Sequence, residues 1–162
     1  MTHAHAYRSR LSWRGSTDDG YEKYDRTHRV TVPPAGGELV LSSDPAFNGD
    51  ERLPNPEQLL LAAASSCQLL SFLAIAARSR IDVLSYEDDA DAVMPEDERP
   101  MRITHITLRP KITVAAGADP DRVLRLIEKA HKGCFIANTL NAEIMLEPVI
   151  EHAASRPAAE LS

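Results

Sequence analysis

The sequence predicts an α+β fold in the order three strands, helix, two strands, helix, strand. Three observations predict it. A charge-free stretch over residues 59–77 stands behind a helix start at Asn55, Pro56 and Glu57. A second start of the same kind stands at Asp119, Pro120 and Asp121. Period-two alternation is confined to segments before, between and after these two helices. Consecutive hairpins disfavour a doubly wound parallel sheet, and no internal repeat is present.

In chain order, residues 1–6 read as a flexible tail, and the pair His3 and His5 within it, without further ligands, makes only a loose metal site. Residues 7–13 alternate as a strand, 15–20 form its turn, 24–32 return, and 39–41 add a third strand after Gly36 and Gly37, giving an antiparallel meander. Residues 42–54, rich in Ser, Asp, Pro, Asn and Gly, form a loop leading into the first helix. That helix is expected over 55–80, roughly 36 Å long at ~1.5 Å per residue, with Arg78 and Arg80 complementing its dipole.

Residues 81–94 follow as a strand with one solvated face. Its acids, Glu87, Asp88, Asp89 and Asp91, read as solubility rather than as a divalent-metal site, since alternation scatters them along an edge. Residues 95–100 are a hairpin loop, and 101–114 alternate cleanly as the next strand, with His105 facing solvent or satisfied locally. The second helix carries Val123, Leu124, Leu126, Ile127 and Ala130 on an apolar face and stops near Gly133, with Cys134 next. Residues 141–150 form the last strand and 153–162 a flexible tail, so the expectation is a single domain over 1–162.

The chain is 43% hydrophobic and 26% charged over 162 residues, enough for a real core and too short for two ordinary domains. A net charge of −6 argues against nucleic acid as a partner. The first helix is long and apolar enough that a membrane span has to be weighed. Against it, Ser65, Ser66, Cys67, Gln68 and Ser71 fall where hydrocarbon would be deepest. A helix apolar nearly all round is otherwise enclosed by protein on most sides, which suggests a second subunit. With no positively charged n-region before an apolar stretch, a cytoplasmic location is the default expectation. Two cysteines in such a compartment are a poor structural staple. Their spacing matches no zinc motif, and read alone they could be two small buried hydrophobes.

Two motifs change the weight of that reading. NPEQLLLAAASSC and AHKGCFIANTLNAEI resemble the OsmC/Ohr family of thiol peroxidases, in which an Asn-Pro-Glu helix start leads to a first cysteine and a second cysteine follows the next long helix. The element order is similar over about residues 7–150. The resemblance implies an intertwined homodimer, with two long central helices packed against antiparallel sheets and the sites at the subunit interface. It also implies a cysteine-based peroxidase that reduces organic hydroperoxides and possesses no bound cofactor. Cys67 would be oxidised to sulfenic acid, Cys134 would condense with it to a disulfide, and an external dithiol, in this family usually lipoyl-bearing, would reduce the bridge.

A cysteine attacks an O–O bond as thiolate, and burial in an apolar helix raises its pKa, so a cation is expected nearby. In the family it comes from the N-terminal hairpin, held by the glutamate of the Asn-Pro-Glu motif. Arg26 is the candidate here, Arg29 the second, and Glu57 the glutamate. Ten residues along a helix separate Glu57 from Cys67 by about 15 Å, so a Glu57 that serves Cys67 has to come from a partner's antiparallel helix. Three departures point to a divergent branch. Phe135 stands where many members have proline, Gln68 stands where an aromatic is common, and the hairpin lacks a glycine-rich arginine motif. The alternative function is a non-catalytic dimer that binds a small apolar molecule between its helices.

Overall fold

The computed structural model describes residues 3–154. Residues 155–162 of the expected C-terminal tail, and residues 1 and 2 of the N-terminal one, lie outside them. The chain divides into two compact units, Met1–Leu59 and Leu60–Ser162.

The first unit is the expected meander: β1 (Arg10–Ser12), β2 (His28–Thr31) and β3 (Leu39–Leu41), antiparallel in that order. The loop after β3 is fixed locally. Asp44 accepts from the Ala46 N–H at 2.8 Å and opens a 3-10 turn, Pro45–Phe47, and Gly49 then passes so close to the chain that a Cβ there would lie 1.6 Å from the Ser43 carbonyl oxygen. This loop delivers Asn55, whose side chain accepts from the Gln58 N–H at 2.8 Å while Gln58 Oε1 accepts from the Asn55 N–H at 3.0 Å. That reciprocal pair is a capping box, and it starts α1 (Pro56–Arg78) with Pro56 at the first helical position, as the sequence predicts.

In the second unit α1 buries Ala64, Gln68, Phe72 and Ala76, one residue every fourth position and so a single stripe. Phe72 and Ala76 pack with Ile112, Val114, Val123 and Ile127, while Ala64 packs with Ile106 and Leu108. Leu60, Leu61 and Ile75 flank the stripe and are partly covered, while another face is left open among the described residues; Leu70 is 63% exposed and Leu73 38%. α1 is long and apolar enough, by length and composition, to cross a membrane, but its polar middle is tied to protein. Ser65 donates to Asp88, and Gln68 Nε2 donates to the Ile127 carbonyl at 3.3 Å. The helix closes with Ile81 N–H on Ala76 O at 3.0 Å and Arg80 N–H on Ala77 O at 3.1 Å, with Arg80 left-handed at φ 58°.

The three strands expected after α1 are each present and each broken once: β4 and β5 (Val83–Asp88, Asp91–Val93), β6 and β7 (His105–Leu108, Pro110–Val114), and β8 and β9 (Glu143–Leu146, Val149–His152). The breaks lie side by side, giving two three-stranded sheets ordered β4-β7-β9 and β5-β6-β8. Arg109 sits in the central break. Its N–H donates to Asp88 at 2.7 Å, its Nε to Glu147 at 2.9 Å, and its Nη1 to the Asp91 carboxylate. Two of the acids read as mere solubility therefore hold this junction. The sheets are also mixed rather than purely antiparallel, because β8 and β9 run parallel to β6 and β7. α2 (Pro120–Lys132), capped by Asp119 as predicted, is the crossover that parallel pairing requires.

Candidate active site

Cys67 projects from the middle of α1, one position before the buried stripe residue Gln68, and is half-buried. Gln68 fixes the turn that carries it, since its amide holds the α2 carbonyl of Ile127 from a fully buried position. Opposite stands the turn after α2. Gly133 caps that helix, Cys134 N–H bonds the His131 carbonyl at 3.0 Å, and Asn138 returns both its backbone N–H (3.0 Å) and its side-chain amide (2.9 Å) to the Cys134 carbonyl. Residues 134–138 thus form one helical turn with Cys134 at its head, and the N–H groups of Phe135, Ile136 and Ala137 take no backbone partner among the described residues.

Those N–H groups point at sulfur. Ile136 N–H donates to Cys67 Sγ at 3.5 Å. Burial pushes the Cys67 thiol up, but hydrogen bonds from the Cys134 thiol, the Ile136 N–H, the Ser71 hydroxyl and the Phe135 N–H together outweigh it and hold Cys67 below an ordinary thiol. Cys134 goes the other way. Burial, the hydrogen bond it gives to Cys67 and the proximity of that sulfur raise it, and N–H groups of Ala137 and Ile136 offset them only in part. Both cysteines are free.

Access divides the two thiols as well. Cys67 lines a cavity of about 730 Å³ walled by Leu70, Ala74, Ile75, Phe135 and Ile136, with Arg78 at one end, whereas Cys134 is 1% exposed. The pair thus comprises an accessible sulfur whose pKa is lowered and a buried neighbouring sulfur whose pKa is raised.

The fold therefore brings Cys67 and Cys134 together. The other predicted residues belong to the first unit. Arg26, half-buried, has its guanidinium 3.9 Å from the ring centroid of Tyr24 and donates to the Tyr24 carbonyl at 2.8 Å. Arg29 of β2 is paired with Glu38, the residue before β3. Glu57 occupies the second helical position of α1 and is half-buried, while the cap itself is made by Asn55 and Gln58. Sequence reasoning looked to a cation for the thiolate and missed the backbone donors. The signal for them was Gly133 before Cys134 with Asn138 four residues on, a helix stop followed at once by a new turn.

A family model described as OsmC-like protein matches residues 49–148, which span both cysteines and the first helix start. The chain belongs to the OsmC-like family. This OsmC-like chain is 30% identical over 101 residues to peroxiredoxin OsmC of Escherichia coli strain K12, covering 62% of its own length and 69% of the relative's. Among solved structures, an OsmC-like protein of unknown function from Vibrio cholerae aligns with TM-score 0.81 and 26% identity over 90% of this chain and 100% of that one. The organic hydroperoxide resistance protein OhrB of Bacillus subtilis shares the fold, with TM-score 0.62 and 19% identity over 88% of this chain and 98% of that one.

Proposed function

We propose that this protein is a thiol peroxidase that reduces organic hydroperoxides. The observation that carries the reading is the asymmetric thiol pair: Cys67 opens on an apolar cavity with the Ile136 N–H on its sulfur at 3.5 Å and its pKa held down, and Cys134 lies buried beside it with its pKa raised. Membership of a family that includes a peroxiredoxin of E. coli supports it. The Cys67 thiolate attacks the distal peroxide oxygen; the O–O bond breaks, Cys67 becomes sulfenic acid, and the departing alkoxide takes a proton to leave as alcohol. The Cys134 sulfur then attacks the Cys67 sulfur, with its proton and the sulfenic hydroxyl leaving as water. An external dithiol, lipoyl-bearing in the family pattern, reduces the disulfide by exchange and is itself oxidised.

The working unit in this reading is a cytoplasmic homodimer in which Arg26, held by Glu57, completes the thiolate's surroundings. The uncovered apolar surface of α1, with Leu70 63% exposed, supports a partner there. Treating reduced protein with cumene hydroperoxide, and separately with hydrogen peroxide, while following thiol loss tests the function. Consumption is expected to vanish in Cys67→Ser, and Cys134→Ser is expected to complete one turnover and retain sulfenic acid by mass spectrometry. Both thiols untouched by either peroxide would leave the alternative, a non-catalytic dimer whose 730 Å³ cavity holds a small apolar ligand.

A further inference from the structure

The first unit has a cavity of its own, about 440 Å³, within the ~300–1,000 Å³ typical of small-molecule sites. Leu11, Trp13, Tyr24, Arg26, His28 and Ser42 are among its walls. The segment between β1 and β2 is organised around the Arg26 guanidinium. That group lies over the rings of Tyr24 (3.9 Å to the centroid) and Tyr21 (4.9 Å), and it donates to the carbonyls of both residues. Trp13 stands edge-on to Tyr24 at 6.4 Å and closes the loop through Nε1 on the Asp25 carbonyl at 2.7 Å. Tyr21 is 58% exposed and Trp13 37%, so these rings build little core; they hold a cation in place.

Among the described residues of one chain that cation has no carboxylate partner. Nearby Arg29 is paired with Glu38 and Arg52 with Asp50, whereas Arg26 makes no ion pair among the described residues. Of five guanidinium N–H groups two go to carbonyls, and the others are left for a ligand. Ser42, 1% exposed, accepts the Asp50 N–H at 3.1 Å and keeps its own proton to donate. A pinned planar cation matches the fork of a carboxylate, and a single such charge suits a monoanion better than a phosphate dianion. Leu11 and Trp13 supply an apolar wall for the remainder of the ligand.

We propose that this cavity binds a small organic carboxylate, with its anionic end on Arg26 and its apolar body against Trp13 and Leu11. The inference shares Arg26 with the peroxidase reading and is tested apart from it. A carboxylate and a thiolate would compete for the same guanidinium donors, so Arg26 serves one or the other at any moment. Trp13 is the sole tryptophan of the chain, and its emission reports on the cavity directly. Reduced protein, with no peroxide present, is titrated with octanoate, with octanamide and with inorganic phosphate. Octanoate is expected to give a saturable change, with a dissociation constant at least about tenfold tighter than that of octanamide, and phosphate none. Arg26→Gln is expected to erase the preference for the acid over the amide, and Arg26→Lys to keep only part of it. Thr17→Phe, which fills the cavity and leaves the Arg26 hydrogen bonds alone, is expected to weaken both ligands. Equal titration by acid and amide, no saturation at millimolar octanoate, or indifference to Thr17→Phe overturns the proposal.

Discussion

The donors that lower the Cys67 thiol in its apolar helix come mainly from the turn at Cys134, and Ser71, one turn further along the same helix, adds its hydroxyl. The hydrogen bond from Cys134 is a part that a single substitution can remove. Cys134→Ser retains a donor and Cys134→Ala does not, so alkylation of Cys67 by iodoacetamide, followed against pH, is expected to keep its low midpoint in the serine variant. In the alanine variant the sign reverses the protein's own arrangement: losing a donor to the thiolate raises the midpoint, and reaction at neutral pH slows. Identical profiles for the two variants would mean that the backbone N–H groups and Ser71 set the pKa without Cys134. At this scale the two cysteines were legible because residue type and family motif name them. The N–H groups of Phe135 and Ile136 were not, since a backbone donor has no letter of its own and becomes a ligand only when a turn aims it. Gln68 illustrates the same limit. In the sequence it is a departure from a common aromatic, and in the fold it ties α1 to α2 beside Cys67.

The elements are set largely by their ends. Asn55, Pro56, Asp119 and Pro120 start the two helices as local chemistry dictates, which is why both starts could be read directly. The end of α1 was placed two residues late, because Arg78, Ser79 and Arg80 carry no glycine to mark the stop. The chain nonetheless closes with the hydrogen-bond pair usual for a glycine stop and puts Arg80 in the left-handed region at φ 58°. Arg80→Gly is therefore expected to stabilise the protein by about 1 kcal/mol, seen as a higher urea midpoint at unchanged slope. Gly49→Ala is expected to do the opposite, costing about 3 kcal/mol, because its methyl would meet the Ser43 carbonyl oxygen and the loop before α1 would have to move. The breaks in the later strands escaped the sequence reading since alternation continues through them. Only the pairing of Arg109 with Asp88, Asp91 and Glu147, contributed by both outer strands, shows why three strands break at one level. Parallel pairing of the last strand was likewise beyond local pattern, being a property of where α2 returns the chain.

For the whole molecule the question is what covers α1, a helix apolar on every side that buries one stripe within its own chain. In the proposed dimer the cover is a second α1, and the geometry of one helix limits how the two can lie. Glu57 and Cys67 are about 15 Å apart along the axis, so an antiparallel pair that sets Glu57 beside the partner's Cys67 has its two-fold axis halfway between them, at Ala62. Ala62 is exposed in the chain, and its methyl group permits close approach of two helices. Ala62→Trp is then expected to shift the protein toward monomer in sedimentation, with the fold of each chain retained by circular dichroism. The sharper test is complementation. Glu57→Gln and Cys67→Ser are each expected to lose most peroxide consumption as homodimers. In a heterodimer the intact Cys67 of the first variant faces the intact Glu57 of the second, so unfolding and refolding an equal mixture is expected to restore about a quarter of wild-type activity, half the dimers being mixed with one working site each. A Glu57 that acted within its own chain would restore nothing, and full activity in Glu57→Gln alone would remove this residue from the site while leaving the thiol pair as it stands.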